Sequence, residues 1–169
     1  MKFAYADPPY YGQGKKLYQR PEWDQLEMHR MFVDELCKRY PDGWAMSASS
    51  PSLRLILPLC PEDVRVGGWF KPFAIFKPNV NPAYAWEPVI FRGGRKRDRT
   101  QPTVRDWVSC VITLRKGLTG AKPEEVCQWV IALMGAERGD QFDDIFPGTG
   151  VFGRVWTNFC AGNPNAHNG

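Results

Sequence analysis

Met1-Lys2-Phe3-Ala4-Tyr5-Ala6-Asp7-Pro8-Pro9-Tyr10 opens the chain and decides how the rest of it is interpreted. The apolar run before the prolines is short and β-prone, which predicts a buried strand. Asp7 then follows the carboxyl end of that strand. In an open α/β sheet, ligands bind at this edge. The stretch therefore predicts an α/β sheet with Asp7 beside a ligand.

The residues after the strand offer hydrogen-bond acceptors and a ring. Two consecutive prolines fix φ and lack N–H donors, so the carbonyls of Asp7 and Pro8 stay free as acceptors. A carboxylate, rigid carbonyls and the ring of Tyr10 together suit a planar group that bears an NH₂. The same residues also suit a plain strand followed by a Pro-Pro turn, and the tetrapeptide alone does not decide between the two.

The bulk composition is that of an ordinary globular protein with a basic segment. The chain has 169 residues, 43% of them hydrophobic and 24% charged, which predicts a single domain at 1–160 with a flexible tail at 161–169. The net charge is only +4, yet six basic residues fall between Arg92 and Arg105. Such a local cluster attracts phosphate backbones.

Cysteine and histidine usage argues against metal and disulfide frameworks. The five cysteines are odd in number and have no Cys-x-x-Cys spacing, and there are two histidines. Reduced thiols and no metal site are therefore expected, in a cytoplasmic protein. The sequence also shows no signal peptide and no apolar run long enough to span a membrane.

Strand and helix patterns alternate along the chain. Residues 24–40 predict a helix in which Asp24 is the N-cap, Glu27 completes a capping box and His29 packs on the apolar face. The other predicted elements are strands at 44–49, 64–70, 87–92, 107–114 and 142–146, and helices at 51–59, from 122 onward and at 151–160. This alternation predicts a three-layer α/β domain with about five main strands and helices on both faces of the sheet.

A glycine turn, Phe146-Pro147-Gly148-Thr149-Gly150, lies between a predicted strand and a predicted helix. Glycines there allow a ligand close to the backbone at a helix N-terminus. Gly148–Gly153 also fits Gly-x-Gly-x-x-Gly formally, but a dinucleotide site needs an acidic residue about 20 positions on. Only 16 residues follow Gly153 and none is acidic, so that interpretation fails. A plain structural turn stays open.

Three motifs in this order resemble a family. Asp7-Pro8-Pro9-Tyr10 is followed by Lys122-Pro123-Glu124 and then by Asp144-Ile145-Phe146-Pro147-Gly148-Thr149-Gly150. This order resembles the permuted, β-type amino-group methyltransferases that depend on S-adenosylmethionine (SAM). The strand at Trp86–Arg92 also resembles the family strand that has an acidic residue before an apolar run.

The resemblance implies a Rossmann-like methyltransferase sheet, truncated in this chain, with SAM as the cofactor. It implies methylation of the exocyclic amino group of adenine in DNA. The implied catalytic residues are Asp7, Pro8, Pro9 and Tyr10, and the implied cofactor-binding residues are Asp7, Lys122, Pro123, Asp144, Phe146, Gly148, Thr149 and Gly150. Asp7 and the Pro8 carbonyl would each accept one N–H bond from the amino group, and Tyr10 would stack on a base taken out of its helix.

The chain also departs from that family. An acidic residue on a further strand usually holds the cofactor ribose, and a separate domain usually recognises the target; neither is seen here. Loop residues are therefore the candidate nucleic-acid contacts: Lys15, Lys16, Arg92, Arg95, Lys96, Arg97 and Arg99. For the basic run a solvated surface loop is equally compatible. A homodimer or a partner subunit could cover the open sheet edge.

Two other functions stay open on this evidence. The same chemistry could act on RNA or on a free nucleotide, because no recognition domain is seen. The chain could also be a non-catalytic nucleic-acid-binding or partner module, because the strand that would hold the ribose is missing.

Overall fold

The computed structural model describes residues 1–73, 79–112 and 121–162. Within them lie six strands and four α-helices, with short helical turns between some of them. In chain order these are β1 (Lys2–Ala6), α1 (Leu26–Arg39), β2 (Gly43–Ser47), α2 (Leu53–Ile56), β3 (Arg65–Phe70), β4 (Trp86–Gly93), β5 (Trp107–Ser109), α3 (Glu124–Met134), β6 (Gln141–Asp144) and α4 (Val151–Ala161).

The strands form one mixed sheet in the order β5-β3-β4-β2-β1-β6. β4 runs antiparallel to both its neighbours, whereas the other pairs are parallel. The carboxyl ends of β1, β2, β3 and β6 therefore share one end of the sheet with the amino end of β4. Asp7 lies at this end because it directly follows β1.

Two apolar cores lie on opposite faces of the sheet, because successive side chains of a strand point to opposite sides. Phe3 and Tyr5 of β1 pack on the side of α3 and α4, in the cluster that contains Val130. Ala4 and Ala6 pack on the side of α1 and α2, in the cluster that contains Leu36. This arrangement confirms the predicted three-layer α/β fold with helices on both faces. The sheet has six strands in the described part of the chain, the shortest being β5.

The predicted N-cap of α1 is wrong. Gln25 occupies the cap position, and Asp24 ends a short 3-10 turn instead. The Asp24 carboxylate accepts hydrogen bonds from the backbone N–H groups of Gly14 (2.8 Å) and Lys15 (3.0 Å). It thus satisfies donors at the start of a separate helical turn, 14–18, that the sequence did not indicate. His29, as predicted, is a packing residue: it is buried, with Nε2 2.9 Å from the Trp23 carbonyl.

Several predictions extend beyond the described residues. The strand predicted at 107–114 is seen as β5 and ends at Ser109, and its last two positions lie outside the described ranges. Parts of the irregular segment 72–86 and of the predicted tail 161–169 also lie outside them. The single-domain organisation stays a prediction. No helix in the described ranges is both long enough and apolar enough to cross a membrane.

Candidate active site

Asp7 and Tyr10 contact each other at the carboxyl end of β1. The Pro8-Pro9 turn carries Tyr10 back until its hydroxyl lies 3.2 Å from Oδ1 of Asp7. The backbone then turns again, and the N–H of Gln13 donates to the carbonyl of Tyr10 at 2.9 Å. The motif predicted from the sequence is therefore a compact unit in which the carboxylate and the aromatic ring are held together.

Lys122 is the centre of the site. It precedes α3 and Pro123, the N-cap of that helix, and its side chain is only 10% exposed. Its Nζ lies 3.1 Å from Oδ1 of Asp7 and 2.9 Å from Oε2 of Glu87, and it donates to the Tyr10 hydroxyl at 3.0 Å. Two of the sequence motifs, separated by 112 positions, thus meet through this one ammonium group.

Glu87 completes the network and was not among the predicted site residues. It lies near the amino end of β4, where its Oε2 accepts a hydrogen bond from the Tyr10 hydroxyl at 2.9 Å. Lys71, just after β3, donates to the other oxygen, Oε1. Lys71 also lies over the Trp69 ring, with Nζ 4.6 Å from the ring centroid. The sequence feature that could have indicated Glu87 is a carboxylate in an otherwise apolar strand, because a buried carboxylate requires a partner.

The charges in this network determine its protonation. Burial favours a neutral Glu87, but Lys122 and Lys71 together lower the pKa of its carboxyl group to about 2. Burial raises the pKa of Asp7 above its usual value, and Lys122 opposes that rise. Burial likewise opposes the charge of Lys122, yet the neighbouring Asp7, Tyr10 and Glu87 raise the pKa of the lysine well above its usual value. The result is a lysinium held between two carboxylates.

One oxygen of Asp7 remains available. The contacts from Tyr10 and Lys122 both go to Oδ1. Among the described residues, Oδ2 has no side-chain hydrogen-bond partner, and the side chain of Asp7 is 24% exposed. The site therefore presents one fixed carboxylate oxygen as an acceptor for a ligand.

The third motif lies beside Asp7, at the end of β6. Asp144 pairs in register with Tyr5 of β1, and the N–H of Ile145 donates to the Tyr5 carbonyl at 2.9 Å. Burial raises the pKa of Asp144 to about 6; the Phe146 N–H lowers it and the charge of Asp7 raises it. The carboxylates of Asp7 and Asp144 are thus close enough to repel each other across the end of the sheet.

The glycine turn is open on its outer side. Gly148 has φ +47° and Gly150 φ +70°, so both have the left-handed backbone that glycine favours. A Cβ at Gly148 would meet only the Phe146 carbonyl, at 3.8 Å. The Thr149 carbonyl accepts from Arg154 of α4, whereas the Phe146 ring packs against Trp23 on the α1 side. Cofactor contacts by these residues stay a prediction.

The predicted nucleic-acid residues divide between two ends of the molecule. Lys15 and Lys16 are exposed on the turn at 14–18. That turn lies beside the site, because Gln13, the residue before it, donates its N–H to the Tyr10 carbonyl. Burial and then the charge of Asp7 raise the pKa of Tyr18 on the same turn. Gly93, by contrast, is in register with Gly43 at the amino end of β2, so the basic run begins at the opposite end of the sheet.

Three arginines of the basic run are engaged within the protein. Arg92 pairs with Asp63 at 2.7 Å and Arg95 pairs with Asp140 at 2.7 Å. Arg97 donates to the Pro102 carbonyl of its own segment and to the Ala132 carbonyl of α3. Lys96 and Arg99 are exposed. The structure does not bring this segment to Asp7, and nucleic-acid binding by it stays a prediction. The described residues contain no cluster of side chains suited to a metal ion.

Among solved structures, the chain is similar to M1.HpyAVI in complex with SAM. The TM-score is 0.64 at 15% identity, and the likeness covers 94% of this chain and 78% of that one. A second structure of M1.HpyAVI gives a TM-score of 0.58 at 13% identity, with coverages of 95% and 76%. No family model and no curated protein sequence matches the chain. These likenesses show the fold: the chain shares the Rossmann-like α/β sheet of those structures, with helices on both faces.

Proposed function

We propose that the protein is a SAM-dependent methyltransferase that acts on the exocyclic amino group of adenine in DNA. The observation that carries this proposal is the Asp7 carboxylate at the carboxyl end of β1, held by Lys122 and Tyr10 with one oxygen free. The fold shared with a SAM complex and the order of the three motifs support it.

The residues at the ends of β1 and β6 fit this cofactor. SAM carries a sulfonium and an ammonium group, both cationic, and the carboxylates of Asp7 and Asp144 repel each other where such a cation would stabilise both. Gly148 leaves the adjoining turn without a side chain, so the backbone is accessible to a ligand. Asp144 and the turn 147–150 would hold the cofactor, with Lys122 and Pro123 along its border. When bound, SAM supplies an electrophilic methyl group.

The chain's own residues act on the acceptor. An exocyclic amino nitrogen is a poor nucleophile because its lone pair is delocalised into the ring. Oδ2 of Asp7 and the Pro8 carbonyl each accept one N–H bond, which favours a pyramidal nitrogen with its lone pair directed outward. Lys122 and Tyr10 fix Oδ1, so Asp7 has no freedom to turn away. Positioning and fixed charges then account for most of the rate effect.

Asp7 is also the group placed to take the proton that the amino nitrogen loses after methylation. Burial raises the pKa of Asp7, which makes its carboxylate a stronger base than a solvated aspartate. The nearby Glu87 is unsuited to this task, because two lysines hold its pKa at about 2. The two carboxylates of the site therefore have different roles. Glu87 holds the two lysines in place, and Asp7 binds the amino group and accepts its proton.

The test is methyl transfer to several acceptors in parallel. The protein would be incubated with methyl-labelled SAM and with duplex DNA, single-stranded DNA, RNA or free nucleosides, and the digested products would be identified by mass spectrometry. We expect labelled N6-methyladenine from DNA. Label on RNA or nucleosides alone would show that DNA is not the substrate and that the labelled acceptor is. No label on any acceptor would favour a non-catalytic module.

Two variants make this test specific for Asp7. Asp7→Asn keeps the shape of the side chain but removes the carboxylate, and we expect it to lose at least 100-fold in rate, which is the scale for a proton-transfer residue. Asp34→Asn is the matched control, since Asp34 is exposed on α1 away from the site. Equal rates for Asp7→Asn and the wild type would contradict the mechanism.

A further inference from the structure

An aromatic surface lies on the outer half of the sheet, on the face opposite the Glu87 network. Phe70, Trp86 and Trp107 belong to the neighbouring strands β3, β4 and β5. The Phe70 and Trp86 rings are stacked with centroids 6.1 Å apart and planes at 18°, and the Trp107 ring meets Phe70 edge-on at 6.3 Å. We call these three residues the aromatic platform.

Two of the three platform rings are exposed, and Trp86 is half-buried. Phe70 is 45% exposed and Trp107 is 42% exposed, whereas the same face of β1 and β2 is covered by α1 and α2. Gly68 lies beneath the rings: a Cβ there would come within 3.0 Å of Phe70 and 3.4 Å of Trp86. The glycine thus lets the two rings lie close to the sheet, with area left open to solvent.

The platform adjoins the candidate active site. Phe70 directly precedes Lys71, and Trp86 directly precedes Glu87. Because neighbouring residues of a strand point to opposite faces, the platform and the charged network lie back to back at the same end of β3 and β4. The platform thus lies at the same end of the sheet as Asp7, on the outer strands β3, β4 and β5.

The charges around the platform suit a polyanion. The Arg105 guanidinium lies 5.2 Å from the Trp107 ring centroid and leaves the platform with a cation at its border. The neighbouring acid, Asp106, is paired with Arg65 at 3.3 Å. Exposed aromatic rings bordered by arginine are the combination with which proteins bind unpaired bases of single-stranded nucleic acid.

We infer that the aromatic platform stacks on unpaired bases that flank the target base in a single-stranded nucleic acid. This inference rests on the proposed function for the identity of the ligand, but it concerns a different surface. It places substrate binding on the strands of the sheet in addition to the loops. It also makes single-stranded nucleic acid, or a locally opened duplex, the preferred form of the substrate.

The test is binding without cofactor, so that it does not depend on catalysis. Fluorescence anisotropy would measure the Kd for a labelled single strand of about 12 nucleotides, a length suited to such surfaces, and for the matched duplex. We expect tighter binding of the single strand. Phe70→Ala and Trp107→Ala should each weaken it about 5- to 150-fold, the range for loss of one stacked base.

Two controls separate stacking from general damage. Trp107→Phe keeps a ring and should restore most of the affinity lost in Trp107→Ala. Met31→Ala removes a side chain that is more exposed, at 60%, but lies on α1, and this variant should bind like the wild type. Circular dichroism of every variant would verify the fold. Because both mutated rings are exposed, we expect both alanine variants to fold.

Each contrary result has a distinct meaning. Unchanged Kd in both alanine variants, or no binding of the single strand by the wild type, overturns the platform. Sedimentation that shows a wild-type dimer and monomeric alanine variants, with unchanged Kd, means that a second copy of the chain covers this surface and also overturns it. Absence of methyl transfer with intact single-strand binding would reject the proposed reaction and leave the platform supported.

Discussion

Asp144 is a half-buried carboxyl group whose pKa is about 6, chiefly because of burial. The folded protein therefore holds this proton more tightly than the unfolded chain, in which an aspartate titrates near pH 3.9. The sign follows from linkage: between about pH 4 and pH 6 the folded state binds more protons, so stability falls as the pH rises through this window. At neutral pH the ionised, half-buried Asp144 carboxylate therefore destabilises the folded state.

Replacing Asp144 with asparagine should stabilise the protein at pH 7.5. The amide keeps an oxygen that can accept from the Phe146 N–H but removes the buried charge. We expect the free energy of unfolding to rise by about 1–2 kcal/mol, less than the full value of the pKa shift because the group is partly solvated. Urea denaturation at pH 7.5 and 4.5 measures this. A gain of equal size at both pH values would contradict the electrostatic cause.

At the scale of single residues, the sequence indicates the site residues that lie in motifs but not the pair that joins β3 to β4. The order of the motifs predicted that Asp7 and Lys122 belong to one site, and the structure brings them within 3.1 Å. Glu87 and Lys71 were missed as site residues because their meeting depends on how β3 pairs with β4. That pairing, Trp69 opposite Glu87, is a long-range choice that no local pattern specifies.

At the scale of elements, the turn at 14–18 depends on a side chain from the next turn along the chain. Asp24 bonds two of its N–H groups, and Gly14 is enclosed so tightly that a Cβ would lie 2.4 Å from the Arg20 carbonyl. The sequence pattern around Asp24 was typical of a capping box. The structure differs because the 3-10 turn at 21–24 directs the Asp24 carboxylate back toward Gly14 and Lys15.

Asp24→Ala should therefore loosen the turn at 14–18 and spare α1. We expect the amide protons of Gly14 and Lys15 to exchange about fivefold faster or more, the scale for loss of a capping side chain. Hydrogen exchange followed by mass spectrometry resolves the two segments. Faster exchange in the first turn of α1, with 14–18 unchanged, would show that Asp24 caps the helix after all.

At the scale of the whole molecule, the basic residues after β4 lie in two different environments. Arg95 joins the end of β4 to the segment after α3, through Asp140 and the Gly135 carbonyl. Lys96, the next residue, is exposed. Composition alone counts both as positive charges available to a polyanion, and sequence reasoning has no means to separate them, since the partner of Arg95 lies 45 positions away.

Arg95→Gln and Lys96→Gln should therefore differ in kind. Arg95→Gln leaves Asp140 less well paired, and we expect the Tm to fall by several degrees. Lys96→Gln should leave the Tm unchanged. If the basic run contacts phosphates, Lys96→Gln should also reduce the slope of log Kd against log salt by about 0.9. Equal Tm losses in both variants would contradict this division.

The general architecture, by contrast, was accessible from the sequence. Alternating apolar runs and amphipathic stretches predicted a three-layer fold, and the two cores on either side of the sheet agree with it. Such periodicity reports burial directly, so it does not depend on long-range pairing. The strand order and the antiparallel direction of β4 do depend on long-range pairing, so the sequence pattern does not predict them.

The antiparallel pairing of β3 and β4 has a consequence for how this protein can diversify. Six paired positions, from Arg65–Phe91 to Phe70–Trp86, lock the two strands together. Lys71 and Glu87 therefore keep their places whatever the length or composition of the segment that joins them. Loop closure becomes only slightly less favourable as residues are added. The connection after Lys71 is thus a natural graft point, where a segment can be inserted or exchanged while the Lys71–Glu87 pair is kept intact.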